Sequence, residues 1–149
     1  MTKRSARRAN DETDALASGA DEVKASTMGH QIERLDHVNV AIPAGGEEAA
    51  DAFYRDLLGF EVIPKPPALQ AARGGRWLNS GPVTVHLGVD PEFRAAKTAH
   101  PAFSIRDLDS LAELLGQHGV EVLWDEDLED VHRCVVFDPF GNRIELIDT

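Results

Sequence analysis

The alternation of apolar and polar residues in LDHVNVAI, residues 35–42, predicts a β-strand. Because successive side chains of a strand point to opposite faces, the two valines and Ile42 share one face. That apolar face suits packing against a helix. The opposite face carries His37 and Asn39, where a strand covered on both sides would carry apolar residues.

The same arrangement recurs in three later parts of the chain. Residues 82–90, 100–105 and 142–148 each combine an apolar face with a face that carries hydrophilic side chains. Burying several such side chains together is costly unless they bind each other or a ligand. We therefore predict that four strands direct polar side chains at one shared cavity.

A helix and three short strands complete the first half of the chain. Residues 45–59 begin with acidic residues, continue with apolar residues at helical spacing and end at a glycine, which predicts a helix. Prolines and glycines then separate three strand-like segments, residues 60–66, 75–81 and 82–90. Residues 66–75, PPALQAARGG, are interpreted as a loop that helps to decide which substrate is bound.

The β-α-β-β-β order repeats after a linker rich in alanine and charged residues. A strand precedes a helix that has Asp107 or Asp109 near its N-cap and Leu114 on its inward face. A further strand and a hairpin follow. The predicted elements are residues 100–105, 107–119, 120–127, 132–138 and 142–148. Two copies of roughly 55 residues each indicate an internal duplication and not a solenoid.

The duplication defines the predicted architecture. We predict an α+β fold in which two βαβββ modules, residues 32–92 and 98–149, form an open, curled mixed sheet around a cavity. Residues 1–31 bury too little apolar surface to fold, and we interpret them as a flexible N-terminal tail. The basic start of this tail is not followed by an apolar stretch, which argues against a secretory signal or a membrane span.

The charge and cysteine content narrow the class of partner. The formal net charge of −11 leaves no basic surface for nucleic acid and disfavours binding to an anionic membrane. The single cysteine, Cys134, cannot form an intrachain disulfide, so we expect a cytoplasmic protein. We interpret Cys134 as a buried and inert thiol. A small molecule is therefore the expected ligand, and an open sheet edge favours a homodimer.

Three residues of the polar faces could hold a divalent metal ion. His37, His100 and Glu145 supply two imidazoles and one carboxylate, a set that leaves coordination positions open for a substrate or dioxygen. Such an ion polarises a bound oxygen and stabilises negative charge that develops on it. The three residues lie far apart in the sequence, so their spacing alone is weak support for a metal site.

The chain resembles the vicinal oxygen chelate superfamily, which includes glyoxalase I, fosfomycin-resistance transferases, extradiol dioxygenases and bleomycin-resistance proteins. The matching segments are LDHVNVAI, FYRDLLGFEV, AHPAFSI, LAELLGQHGVEV and FDPFGNRIELID, within residues 35–149. The resemblance implies paired modules around a metal ion in a U-shaped cavity, with the metal ligands at His37, His100 and Glu145. Zinc, nickel, manganese and iron(II) are the metal ions that we consider.

His86 departs from the pattern of the family, because several members carry a fourth ligand, often glutamate, on the corresponding strand. Three roles stay open for His86: a fourth metal ligand, a substrate contact that acts as a base, or a hydrogen-bonding residue of the cavity wall. A site of three histidines and one glutamate would crowd dioxygen and suit isomerase or lyase chemistry. In that chemistry Glu145 could also detach and move a proton.

Other polar residues suggest contacts with the substrate. Arg143 lies on the same predicted face as Glu145 and could bind an anionic group of the substrate or pair with an acidic neighbour. Asn39 and Ser104 could orient ligands or substrate through hydrogen bonds. Trp77 and Trp124 are expected to pack in the core. The segment FDPFGN is interpreted as a turn shaped by its proline and glycine.

Three functions are compatible with these patterns. The first is a metal-dependent enzyme of the vicinal oxygen chelate type, with glyoxalase-like lyase or isomerase chemistry on a substrate with neighbouring oxygen atoms, ahead of extradiol-type dioxygenation. The second is a metal-free protein that sequesters a drug or metabolite, similar to bleomycin-resistance proteins; the metal-ligand set argues against it. The third is a regulatory or structural domain whose tail binds a partner.

Overall fold

The computed structural model describes residues 29–127 and 130–149. Residues 35–149 form one compact unit, and the described residues before it, 29–34, are exposed. Most of the predicted tail, residues 1–28, lies outside the described residues. Among the helices that are described, none has the length and apolar character needed to cross a bilayer.

The first module begins with a strand and a helix and continues with three strands and a short helix. Its elements are β1 (Val38–Pro43), α1 (Glu47–Ala50) with a π-helical continuation (Asp51–Leu57), β2 (Glu61–Ile63), α2 (Pro67–Arg73), β3 (Arg76–Ser80) and β4 (Val83–Asp90). The second module repeats the order without the short helix. Its elements are β5 (Ala102–Ile105), α3 (Leu108–Gln117), β6 (Leu123–Asp125), β7 (Arg133–Phe137) and β8 (Arg143–Asp148).

The two modules have the same sheet topology. The strand order is β1-β4-β3-β2 in the first sheet and β5-β8-β7-β6 in the second. In each sheet the first strand pairs parallel to the last strand, and the other pairs are antiparallel. This equivalence confirms the predicted duplication and the predicted α+β fold of two open mixed sheets.

One face of each sheet is apolar and buried, as the alternation predicts. A single hydrophobic cluster contains residues of both modules, among them Ile42 of β1, Leu87 of β4, Phe103 of β5 and Leu146 of β8. Because alternate residues of these strands are buried, the side chains between them lie on the opposite face. We call that opposite face, with His37, Asn39, Trp77, His86, His100, Arg133, Arg143 and Glu145, the polar face.

The helices differ from the predictions in three respects. The π-helical turn of the first helix, in which the amide of Leu58 donates to the carbonyl of Phe53 at 3.0 Å, leaves Phe53 and the adjacent Tyr54 both buried. Residues 67–73 form α2 and not the predicted loop, because a proline occupies the first turn and Gly74 ends the helix. Leu114 of α3 is 37% exposed, since Leu108, Ala112 and Leu115 fill the inward face instead.

A buried carboxylate joins the two modules. The hydroxyl of Tyr54 donates a hydrogen bond to Asp138 Oδ2 at 2.9 Å, across 84 residues of sequence. The backbone amides of Phe140 and Asn142 donate to Asp138 Oδ1 at 2.9 and 2.8 Å. The side-chain amide of Asn142 donates to Asp138 and also to the carbonyl of Ala41 in β1, both at 2.8 Å. FDPFGN is therefore a structural turn, as predicted, and it fixes β1 against the β7–β8 hairpin.

The buried hydroxyl of Tyr54 predicts a pH-dependent contribution to stability. Burial, followed by the charge of Asp138, raises the pKa of Tyr54 above its ordinary value. Since the folded state keeps the phenol proton while the unfolded state loses it above pH of about 10, stability should fall as pH rises through this range, by up to about 1.4 kcal/mol per pH unit. Tyr54→Phe should abolish this component. Urea unfolding of both proteins between pH 9 and 11 measures it, and parallel curves would contradict the prediction.

Because the chain at Gly75 lies close to β4, we predict that any side chain at this position strongly destabilises the fold. A Cβ atom at Gly75 would lie 2.1 Å from the carbonyl oxygen of Leu87, and the residue has a φ of 77°. Gly81, with a φ of 55° and no atom within 4 Å of its Cβ position, is a matched control for the backbone strain alone. Gly81→Ala should cost about 1–2 kcal/mol of unfolding free energy. Gly75→Ala should cost at least about 2 kcal/mol more by thermal or urea unfolding; equal losses would contradict the clash.

Candidate functional site on the polar face

Strand register places the polar residues of the first sheet side by side. Asn39 of β1 lies opposite His86 of β4, and His86 lies opposite Trp77 of β3. The ring of His86 stacks between two others, with centroid distances of 4.0 Å to His37 and 4.5 Å to Trp77. Burial, and then the neighbouring His37, lower the pKa of His86, so its imidazole is held in the neutral form.

A second pair of residues lies on the polar face of the second sheet. Glu145 of β8 is buried, and its Oε2 lies 3.2 Å from Nε2 of His100. Its other oxygen, Oε1, accepts a hydrogen bond of 3.2 Å from the guanidinium of Arg133, which also binds Asp125 at 2.7 Å. The carboxylate of Glu145 is thus held in place from both sides.

The imidazole of His100 faces two hydrogen-bond acceptors at once. Its Nδ1 lies 2.6 Å from the carbonyl oxygen of Thr98, while its Nε2 faces the carboxylate of Glu145. A neutral imidazole has a single N–H, so it can donate to only one of these acceptors. A cation held by His100 and Glu145 would satisfy the carboxylate while the N–H of the ring donates to the carbonyl of Thr98.

His37 shows a related arrangement. Its Nδ1 lies 3.0 Å from Asp36 Oδ2, which leaves Nε2 for another partner. Histidines that bind metals usually donate Nδ1–H to a carboxylate or a backbone carbonyl and coordinate the metal through Nε2. His37 and His100 both satisfy this requirement.

The structure brings the predicted ligands together as two pairs and not as one set. His37 lies against His86, and His100 lies against Glu145, but no three His, Cys, Asp or Glu side chains in the described parts of the chain converge as a metal cage. The physical reason is the topology, since β1 and β5 belong to different sheets and share no ladder of hydrogen bonds. His37 and His100 nevertheless line one cavity of about 360 Å³, together with Ser104.

A cavity of about 650 Å³ lies on the polar face of the first sheet. It is lined by Asn39, Trp77 and His86, and also by residues of α2 and by the charged side chains of Glu47, Lys65 and Arg73. The predicted loop 66–75 does border this cavity, but as a helix.

Asn39 lies directly over Gly88, where a Cβ atom would come within 2.9 Å of its Oδ1. The absence of a side chain at residue 88 is therefore what gives Asn39 its position on the cavity wall.

The two tryptophans do not pack in the core, contrary to the prediction. Trp77 lines the 650 Å³ cavity, and Trp124 is 44% exposed and stacks on His132. Each indole stacks on an imidazole ring, which covers a face of the indole that core residues would otherwise cover. Cys134 is fully buried, as predicted, and burial raises the pKa of its thiol to about 11.

Sequence reasoning missed Arg133, Lys65 and Glu47 as residues of the polar face and its cavities. Arg133 follows the alternation of β7, so its face could have been read from HRCVVFD. Its pairing with Glu145 could not, because that contact depends on the register in which Val135 lies opposite Glu145. Glu47 binds the amide of Gly75 at 3.0 Å, and this hydrogen bond is the main cause that lowers the pKa of Glu47.

Comparison with known proteins identifies the class. The model of the Glyoxalase/Bleomycin resistance protein/Dioxygenase superfamily matches residues 34–146, and the chain belongs to this superfamily. The crystal structure of a glyoxalase family protein from Bacillus anthracis is 46% identical, with a TM-score of 0.77 over 82% of this chain and 99% of that one. No curated protein sequence matches the chain significantly.

More distant structures share the fold alone. A glyoxalase family protein from Enterococcus faecalis is 22% identical, with a TM-score of 0.60, over 77% of this chain and 97% of that one. The fosfomycin resistance protein FosX from Listeria monocytogenes is 15% identical, with a TM-score of 0.65, over 80% of this chain and 95% of that one. These comparisons agree with the two-module topology.

The stacked rings predict the titration of His86. Its midpoint should lie below the ordinary value of about 6.5, and His37→Gln should raise it, because a neighbouring positive charge is removed while burial persists. Two-dimensional NMR of the imidazole carbons between pH 4 and 8 measures this midpoint. His132→Gln, which removes an imidazole bound to Asp109, is the matched control and should leave the midpoint unchanged. A midpoint that does not respond to His37→Gln would contradict the proposed coupling.

Proposed function

We propose that the protein is a metal-dependent enzyme of the vicinal oxygen chelate type that performs glyoxalase-like lyase or isomerase chemistry on a small molecule with neighbouring oxygen atoms. The observation that carries the proposal is the contact between His100 Nε2 and Glu145 Oε2 at 3.2 Å. Because Nδ1 of the same ring faces a carbonyl at 2.6 Å, a cation at Nε2 and Oε2 would satisfy both acceptors. Membership of the superfamily is consistent with this chemistry.

The side chains on the polar face fit a divalent metal ion. Imidazole nitrogens and a carboxylate oxygen are donors that zinc, nickel, manganese and iron(II) accept. Arg133 binds the other oxygen of Glu145, which would leave Oε2 as the coordinating atom and orient the carboxylate. His37, His100 and Glu145 are the proposed ligands, and His86 is the proposed fourth ligand or base. The chemistry that such an ion supplies when bound is polarisation of a substrate oxygen.

The protein's own residues would orient the substrate and move the proton. Burial and the neighbouring His37 lower the pKa of His86, which favours its unprotonated form. In that form the imidazole can accept a proton. Glu145 can take part in the same transfer if its carboxylate detaches. Asn39, Ser104 and Arg143 line cavities beside these groups and are the proposed substrate contacts.

The proposed ligand pairs could be completed by a second copy of the chain. β2 and β6 are edge strands of the two sheets, and open edges favour association. We therefore propose a homodimer, in the cytoplasm, in which the polar faces enclose the substrate. The geometry of the dimer determines whether His37 acts with His100 of its own chain or with that of the partner chain.

Metal-free binding of a small molecule is a second candidate function, and one observation favours it. Arg133 already forms an ion pair with Glu145. The ring of His86 already stacks on those of His37 and Trp77. A protein that sequesters a ligand in the 650 Å³ cavity needs no metal ion.

Metal titration separates the two candidates. Full-length protein without a histidine tag, stripped with a chelator, should bind close to one equivalent of zinc, nickel, manganese or iron(II) in isothermal titration calorimetry. His100→Ala and Glu145→Gln should each weaken binding by at least about tenfold, because each removes a donor or its support.

The control is His118→Gln, whose imidazole is exposed and binds the carbonyl of Leu114 at the end of α3. It should bind metal as the unaltered protein does. Circular dichroism checks that every variant folds. Failure of all four metals to bind the unaltered protein would overturn the enzyme proposal and favour sequestration.

A further inference from the structure

Arg143 is a cation without a partner. It begins β8 on the polar face, and its Nε is buried and makes no hydrogen bond. Arg143 forms no ion pair with any residue that the structure describes. Arg133 also has an unbonded Nε, but its two terminal nitrogens bind Asp125 and Glu145. A buried guanidinium donor that is left unbonded is costly, and this cost points to a group that Arg143 would bind.

The cavity beside Arg143 also carries a second arginine, Arg94. Its volume is about 460 Å³, and Arg143, Arg94 and His100 line it together with Asn39 and apolar residues. None of the aspartates or glutamates that the structure describes lines this cavity, although acidic residues outnumber basic ones by 26 to 15 in the chain. Two arginines that share a cavity with no carboxylate favour an anionic ligand.

The described carboxylates near Arg143 form no ion pair with it. Arg143 also borders a second hollow that carries Asp125, Glu126 and Asp127. None of the three forms an ion pair with it, and Asp125 binds Arg133 at 2.7 Å instead. The guanidinium of Arg143 is therefore available to an external anion.

We propose that Arg143 and Arg94 form a subsite for an oxyanion group of the substrate, a carboxylate or a phosphoryl group, and hold it beside His100. The inference rests on the proposed function, since it assigns the substrate of that site to the class of organic anions. The planar guanidinium donates two parallel hydrogen bonds to either oxyanion. A cavity of this volume lies within the range that small-molecule sites occupy.

The subsite orients the substrate toward the proposed reacting groups. Its wall includes His100, whose Nε2 faces Glu145, so an anion held by the two arginines keeps the rest of the molecule close to that pair. The side chain of Asn39 lines the same cavity and can donate a further hydrogen bond. The charge of Arg143 also lowers the cost of bringing an anion close to the carboxylate of Glu145.

NMR of the arginine side chains tests the subsite directly. Acetate and inorganic phosphate are titrated into the ¹⁵N-labelled full chain at constant ionic strength, and the Nε–H signal of Arg143 is followed. That signal is assigned by its absence from the spectrum of Arg143→Gln. Acetate or phosphate should shift it saturably, and the tighter of the two identifies the oxyanion class. Acetamide, which has the shape of acetate without its charge, should produce no shift.

Matched variants separate a specific site from general charge. Arg94→Gln and Arg143→Gln should each weaken anion binding by about tenfold, the effect of losing a charge-assisted hydrogen bond, as measured by the shifts of backbone amides that line the cavity. Arg143→Lys keeps the charge but loses the forked geometry, and should bind more weakly than the unaltered protein. Arg106→Gln, an exposed arginine outside this cavity, should bind normally.

The outcomes also distinguish this inference from the proposed function. An unshifted Arg143 signal, or equal losses in Arg106→Gln and Arg143→Gln, overturns the subsite whatever the metal titration shows. Saturable anion binding in a protein that binds no metal supports the subsite and contradicts the metal-dependent enzyme. Arg143→Gln should still bind metal, because Arg143 is not among the proposed ligands.

Discussion

The buried carboxylate of Asp138 is the interaction on which the arrangement of the site depends. It receives hydrogen bonds from the π-helical turn of the first module and from the backbone of its own turn. Through Asn142 the same turn binds the carbonyl of Ala41 in β1. Since Arg143 follows Asn142 directly, this network also fixes where β8 begins relative to β1, and with it the position of Arg143 in the sheet.

The sequence predicted the fold well, because the alternation of apolar and polar residues within each strand shows which of its faces is buried. The apolar side of β1, β4, β5 and β8 is buried, and the residues of the candidate site lie on the other side, as the alternation predicts. What the alternation could not supply was contact across the sheets. The separation of His37 from the His100–Glu145 pair, and the binding of Arg133 to Glu145, depend on register and on the approach of two sheets.

Predictions from local sequence patterns failed where one segment carries signals for two different kinds of structure. PPALQAARGG begins with prolines and ends with glycines, which is typical of a loop, yet the residues between them are good helix formers and produce α2. The π-helical turn follows from adjacent aromatic residues that both need burial, a requirement that helical spacing does not express. Trp77 is of a residue type that is common in cores, but the alternation of β3 places its side chain beside His86.

Both tryptophans of the chain lie on a histidine, Trp77 on His86 at 4.5 Å and Trp124 on His132 at 4.6 Å. A protonated imidazole over an indole forms a cation–π contact and quenches its emission. The intrinsic fluorescence of this protein therefore has two sources, each stacked on an imidazole, one in the 650 Å³ cavity and one on the outer surface. Removing Trp124 leaves a single native fluorophore that reports on the cavity alone.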